Sequence, residues 1–236
     1  MEIGDERVTE VLSSVPLFAV LGEAGIAAAA AAGSSRRHPA GRYVFHQGDP
    51  GDRLYVVLEG LVKVVFATEG GAEIVLDTLG PGETFGEIAL LDGAPRSASI
   101  VAAAPTRLFS LSRERLLALM HEHPELTDQF LLSLGRLVRR LTERAADTAY
   151  LDLGARLAKV LVQLAGKHGA PAGGGASDGA VIDLRLTQSD LAALVGASRP
   201  ALNRALHALA ARGAIAIDKR TIVLRDIEAL RRRSMA

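Results

Sequence analysis

The sequence predicts an α+β chain: a roll of short strands, one long helix, and a small helical unit closed by a β-hairpin. Three observations carry that expectation. From Arg42 to Leu111, short apolar runs alternate with Gly/Pro/Asp turns, the pattern of a barrel or roll. From about Pro124 to Leu151 an apolar pattern of helical period runs without a break. After Ala180, two short helical stretches meet at Gly196, and a strand–turn–strand pattern with a basic tip follows.

Residues Arg7 to Gly33 place Val8, Val11, Leu12, Leu17 and Phe18 at helical spacing around Pro16, then run into an Ala-rich turn or two. Core packing is their expected role. The Ala27–Ala32 run is too short and weakly apolar to span a bilayer, and no basic-then-apolar leader precedes it. No membrane partner and a cytoplasmic location are therefore expected. The strands expected next include Tyr43–Phe45, Leu54–Leu58, Leu61–Phe66, Glu73–Leu76, Ile100–Ala102 and Leu108–Leu111. Ser112 is a plausible N-cap for a helix to His121. Pro124 opens the long helix in its first turn, where a proline is tolerated. Along that helix Phe130, Leu134, Leu137 and Leu141 step by four, three and four, and Thr148 and Leu151 resume the register. Such a narrow seam predicts a symmetric homodimer.

Between two of the strands lies the stretch that carries chemistry, Phe85 to Ser99. Arg96 offers a planar, permanently charged fork of donors suited to phosphate oxygens, and Ser97 adds a hydroxyl beside it. Glu87 only accepts hydrogen bonds when ionised, which suits a ribose 2′-hydroxyl. Gly86 and Gly93 allow close backbone approach and positive φ, and Pro95 fixes the chain before Arg96. On chemistry alone, a Glu–Arg ion pair on a turn remains the alternative. The whole spacing, Phe85-Gly86-Glu87-Ile88-Ala89 to Pro95-Arg96-Ser97-Ala98-Ser99, resembles the phosphate-binding cassette of cyclic-nucleotide-binding domains. Read with the C-terminal third, the chain resembles the cyclic-AMP receptor protein/FNR (CRP/FNR) family of bacterial transcription regulators over nearly its whole length, and most of all its cyclic-AMP-responsive branch. That resemblance implies a ligand set of Gly86, Glu87, Ile88, Ala89, Arg96 and Ser97, with Glu87 on the ribose and Arg96 and Ser97 on the cyclic phosphate. It also brings polar residues of the long helix onto the adenine. Counting back from Leu151-Asp152-Leu153 puts Leu141 and Thr142 there, and Thr142 keeps a hydroxyl for a purine edge or is a solvated surface residue. Leu141 departs from the polar residue often found in the family.

The formal charge is zero, yet it is unevenly spread. From Arg185 to Ala236, ten Arg and Lys stand against four Asp and Glu, which leaves that end near +6 and the remainder near −6. A basic end points to nucleic acid. The absence of cysteine removes disulfides, thiolate zinc sites and iron–sulfur clusters, and within the resembled family argues against the cluster-ligating branch. The six histidines show no ligand pattern, so neither metal nor haem is expected. No catalytic residue is assigned either, because no metal carboxylate cluster or nucleophile–base pair is evident.

Arg156 to Ala165 reads as an amphipathic helix with Leu157, Val160, Leu161 and Leu164 inward. The Gly166–Gly179 loop has few directional side chains, although the resemblance implies RNA polymerase as a partner through such a loop. Thr187 caps a helix from Gln188 to Val195, and Ser198 caps the next from Arg199 to Ala211. With Ala192, Leu194, Leu202 and Leu206 inward, this is a helix-turn-helix. Ile215–Ile217 and Thr221–Leu224 flank Asp218-Lys219-Arg220 as a wing. Arg199 and Arg204 are suited to guanine edges and Asn203 to adenine, whereas Thr187, Ser198 and Lys219 suit phosphates. Gln188 and Pro200 complete the expected DNA-facing set, but proline cannot read a base as the family's glutamate does there. The Arg231–Arg233 run reads as a solvated tail.

The expected organisation is thus a cyclic-nucleotide-binding β-roll with flanking helices (residues 1–123), a dimerisation helix and hinge (124–151), and a winged helix-turn-helix (152–236). The expected activity is homodimeric binding of a pseudo-palindromic double-stranded DNA, controlled by cyclic AMP as effector. The rival keeps the fold but answers to another small effector, or binds DNA constitutively with a relict pocket.

Overall fold

A computed structural model describes residues 3–71, 73–168, 170–171, 180–183, 186–218 and 221–235. The chain divides into two compact units, Met1–Arg139 and Arg140–Ala236. In the first, helix α1 (Ile3–Ser14), a 3-10 turn (Ala19–Leu21) and α2 (Gly22–Ala32) precede strands β1 (Ser34–His38), β2 (Tyr43–Phe45), β3 (Arg53–Glu59), β4 (Val62–Ala67), β5 (Glu73–Leu79) and β6 (Thr84–Phe85). Helix α3 (Glu87–Asp92), strands β7 (Ser99–Ala102) and β8 (Thr106–Ser112), and helices α4 (Arg113–Glu122) and α5 (Pro124–Tyr150) follow. The strands make two antiparallel sheets of four, ordered β1-β8-β3-β6 and β2-β7-β4-β5. Neighbours are mostly far apart in sequence, as a roll requires.

Strand β3 shows how two cores arise from one alternation. Leu54, Val56 and Leu58 pack with Leu12, Phe18, Phe109, Leu111, Leu126 and Phe130 beneath the helices. Val57 points the other way and packs with Val62, Leu79, Phe85, Ile100 and Leu108. Phe130, expected in a dimer seam, is therefore a core residue of its own unit, 3 % exposed. The large apolar side chains that α5 exposes are Leu131, Leu132, Val138 and Leu141, with Tyr150 at its end. Strand β1 was not expected, since Ser-Ser-Arg-Arg-His carries no apolar residue. Pairing with β8 from Ser34↔Ser110 to His38↔Thr106 makes it a strand.

The turn between β3 and β4 has no room for a side chain. Gly60 sits at φ 92, where an added Cβ would meet Pro105 O at 2.4 Å and the Thr106 hydroxyl at 2.6 Å. That hydroxyl is buried and accepts the Leu61 N–H at 3.1 Å. Gly60→Ala is expected to lower stability by about 2–4 kcal/mol through left-handed strain and overpacking. Urea denaturation measures it.

The second unit contains the end of α5, α6 (Leu153–His168), β9 (Ala170–Pro171), β10 (Ala180–Asp183), α7 (Gln188–Val195), α8 (Arg199–Ala211), β11 (Ile215–Asp218), β12 (Thr221–Leu224) and α9 (Ile227–Arg233). Its strands are ordered β11-β12-β10-β9. Leu157, Leu161 and Leu164 of α6 are buried, with Leu191, Ala192 and Val195 of α7 and Leu202, Leu206 and Leu209 of α8. Leu194, expected inward, is only half-buried, because Val195, four residues after Leu191 and three after Ala192, takes the inward place on α7. Lys219 and most of the Gly166–Gly179 loop lie outside the described residues.

The Arg231–Arg233 run is helical rather than a tail: Arg231 and Arg232 are exposed as expected, but Arg233 is half-buried. It ends α9, whose Leu230 is fully buried. Arg231 pairs with Glu228 at 2.7 Å, and Arg233 donates to Asp152 at 2.6 Å, where Asp152 also accepts the Ala155 N–H opening α6. The hydrogen bond from Arg233, then that from the Ala155 backbone, lowers the Asp152 pKa from its ordinary 3.8. A depressed carboxyl stabilises the fold above its ordinary value and loses that contribution as pH falls through its lowered one. Acid unfolding of Arg233→Ala, followed by circular dichroism, is therefore expected to begin at higher pH than in the wild type.

Candidate functional site

Two sites can be built from these elements. The first begins where β6 ends. Gly86 adopts φ 87 and starts α3, and Gly93 at φ 69 ends it by donating to Ala89 O at 3.1 Å. The Asp92 side chain then accepts the Ala94 N–H, turning the chain through Pro95 to Arg96. The Arg96 backbone is clamped from both sides: its N–H donates to Asp49 O at 2.8 Å, and its carbonyl accepts Gly48 N–H at 2.9 Å. Gly51 in that turn is forced, since a Cβ would stand 2.3 Å from Ala89 Cβ and 3.1 Å from Arg96 Nε. Arg113 closes the far side, donating from Nε to Leu90 O at the end of α3.

Arg96 is only 4 % exposed. Nη1 donates to Gly86 O at 2.8 Å and Nη2 to Arg53 O at 3.0 Å, while Nε is buried with no hydrogen-bond partner. Neither carbonyl carries a charge. Burial lowers the pKa of the guanidinium, against the opposing influence of Tyr55, Asp52, Glu87 and Asp49. Glu87 is half-buried, with its Oε2 inside. Ala89 is buried, whereas Ile88 and Ser97 are exposed at the surface. The structure thus brings Gly86, Glu87, Ala89 and Arg96 together. Thr142 is an exposed residue of α5 in the second unit. What this arrangement can do chemically is hold an anion: a buried cation with N–H donors in reserve gains most from a negatively charged guest.

Sequence reasoning missed three contributors, Phe45, Tyr55 and the Arg53 carbonyl. The Arg96 Cζ lies 4.2 Å from the centroid of the Phe45 ring and 5.7 Å from that of Tyr55. The aromatic pattern of β2 and β3 was visible in sequence, but it reads as core there.

The second site lies on α7 and α8. Thr187 and Asp190 form a reciprocal capping box, with Thr187 Oγ1 accepting Asp190 N–H at 3.1 Å and Asp190 accepting Thr187 N–H at 2.9 Å. Gly196 at φ 69 makes the turn, and Ser198 accepts the Ala201 N–H at 3.4 Å to open α8. Pro200 sits in the first turn. Arg199 donates to Gln188 at 3.2 Å, so the two helix starts are tied at their outer edge. Arg199, Pro200 and Arg204 are exposed on α8 and Asn203 is half-buried. The wing register runs Ile215↔Leu224 to Asp218↔Thr221. A helix start rich in donors beside a hairpin fits the major groove and flanking phosphates of a duplex.

Comparison with known proteins bears on both sites. The family described as "Cyclic nucleotide-binding domain" matches residues 35–123, and "Crp-like helix-turn-helix domain" matches residues 155–233. The chain is 35 % identical over 225 residues to the CRP-like cAMP-activated global transcriptional regulator of Mycobacterium tuberculosis, covering 95 % of this chain and 99 % of that one. It is 34 % identical to the Cyclic AMP receptor protein of Thermus thermophilus, covering 89 % and 93 % respectively. Among solved structures, the c-di-GMP responsive global regulator CLP of Xanthomonas campestris superposes with a TM-score of 0.70 at 29 % identity, covering 85 % of this chain and 98 % of that one.

Proposed function

The chain belongs to the CRP/FNR family of DNA-binding transcription regulators, and from that premise we propose that it is a cyclic-AMP-switched homodimer. One observation carries the effector reading: the buried Arg96 guanidinium, held by uncharged carbonyls with Nε unpartnered. A cyclic phosphate supplies the missing charge. Glu87 takes the ribose 2′-hydroxyl, Gly86, Ile88 and Ala89 line the cassette, Ser97 adds a phosphate bond, and Thr142 reaches the purine edge. Ligand binding then shifts the α5 register in the dimer and sets the spacing of two recognition helices on half-sites one helical turn apart. The protein acts by binding rather than by catalysis, in the cytoplasm. RNA polymerase is a further partner on this reading. Among the described residues no single helix is long and apolar enough to cross a membrane.

Calorimetric titration of the purified protein with cyclic AMP and cyclic GMP tests the effector. Heat and a thermal shift with cyclic AMP are expected; neither, with either nucleotide, would reject it. A second reading exchanges the effector and keeps everything else. It is favoured by the exposed Leu141, a non-polar residue next to Thr142, and by the different nucleotide named for the Xanthomonas structure.

On DNA, Arg199 and Arg204 read guanine, Asn203 reads adenine, and Thr187, Gln188, Ser198, Pro200 and Lys219 approach the backbone. Arg204→Ala is expected to cost about 1–3 kcal/mol on a specific site and little on random sequence. Fluorescence anisotropy on both duplexes separates the two, and an equal loss on both would remove Arg204 from base reading.

A further inference from the structure

Of the nine aromatic residues in the sequence, Phe45, Tyr55 and Phe85 pack together, and Phe45 and Tyr55 lie near one cation, Arg96. Tyr55 and Phe85 stack almost parallel, 5° apart with centroids at 5.1 Å. Phe45 tilts against both, at 5.6 and 6.0 Å. Its face is turned to Arg96, whose Cζ stands 4.2 Å from the ring centroid. None of the three rings belongs to the loop between α3 and β7 that carries Arg96. They come from β2, β3 and β6.

A guanidinium this deeply buried has lost most of its hydration, and the Gly86 and Arg53 carbonyls satisfy hydrogen bonds without balancing the charge. A ring face supplies what they lack. It attracts the cation through its quadrupole without consuming an N–H, and it offers a plane against which a planar fork lies flat. The two carbonyls, one on Nη1 and one on Nη2, then hold the fork at two points. Held so, the fork loses little freedom when a guest arrives, which preserves affinity.

We propose that Phe45 is a positioning residue for the anion site: its ring face, with Tyr55 beside it, seats the Arg96 guanidinium in one orientation before any ligand binds. This rests on reading the cassette as an anion site. The device is specific to an aromatic side chain, because an aliphatic one of similar size fills the space but offers no π face.

The test uses the full-length protein and cyclic AMP as probe. Phe45→Leu is expected to weaken cyclic AMP binding by about tenfold, the scale of a desolvated cation–π contact, and Phe45→Trp to restore it. Fluorinated phenylalanines at position 45 keep the shape and drain the ring of electron density. Affinity is expected to fall stepwise with each added fluorine, a trend that a purely structural role does not produce. In the ligand-free protein, nitrogen NMR should show the Arg96 Nε–H protected from exchange, with about tenfold faster exchange in Phe45→Leu. Wild-type protein that binds no cyclic nucleotide but keeps this exchange difference would refute the effector and leave the seat standing. Unchanged exchange in Phe45→Leu, or affinity indifferent to fluorination in a protein that does bind, would overturn the seat.

Discussion

Arg96→Ala is expected to weaken cyclic AMP binding by at least about a hundredfold, the largest effect of any single substitution in the first unit's site. Two charge-assisted hydrogen bonds to phosphate contribute roughly 1.5–3 kcal/mol each, and together they amount to two or more decades in affinity. The ligand-free fold should change far less. The alanine strands the Gly86 and Arg53 carbonyls and leaves a void, but it also removes a desolvated charge balanced only by ring faces and more distant carboxylates. Arg96→Lys keeps the charge and loses the planar fork, so its affinity should fall between those of wild type and alanine. Calorimetry gives the affinities, and thermal melts with and without cyclic AMP give the stabilities. A melt that still rises with nucleotide in Arg96→Ala would show that binding does not depend on this guanidinium.

What could be read from sequence depended on how local its physical cause was. Gly86, Gly93 and Gly196 were legible because a positive φ is a property of one residue, and all three adopt it. The caps at Ser112, Thr187 and Ser198 need only the next three residues, and each forms. Features set by distant chain were hidden. Strand β1 exists because β8 pairs with it about seventy residues later. The partners of Arg96 come from Phe45, Arg53 and Tyr55, four or five decades back along the chain. Phe130 fitted a seam by spacing alone, yet the helices over β3 left an apolar hole that it fills. Arg233 looked like the end of a charge run until α9 folded it beside Asp152.

Changing Leu131 and Val138 together to aspartate is expected to convert the protein to monomer and abolish tight binding to a two-half-site DNA. Helix α5 is 27 residues long, about 40 Å at 1.5 Å per residue. Leu131 and Val138 stand seven residues apart on it, each 61 % exposed, with Leu141 at 51 % and the half-buried Leu134 between them. Steps of three, four and three from 131 to 141 make a seam that keeps the expected Leu134 and Leu141 but replaces Phe130 and Leu137 with Leu131 and Val138, which leaves Phe130 free for the core. In a two-fold dimer every seam residue is buried twice, so Leu131 and Val138 alone account for four apolar side chains that leave water at about 1.5–3 kcal/mol each. The double variant loses that gain and sets like charges face to face, a combined penalty of several kcal/mol. Neither residue belongs to the buried core of the first unit, so the monomer should still unfold cooperatively. Sedimentation velocity reports the oligomer, and anisotropy on a palindrome and on an isolated half-site reports the DNA. Half-site binding should survive in the variant while the palindrome loses its advantage. A variant that sediments as a dimer and still prefers the palindrome would place the subunit contact somewhere other than this helix.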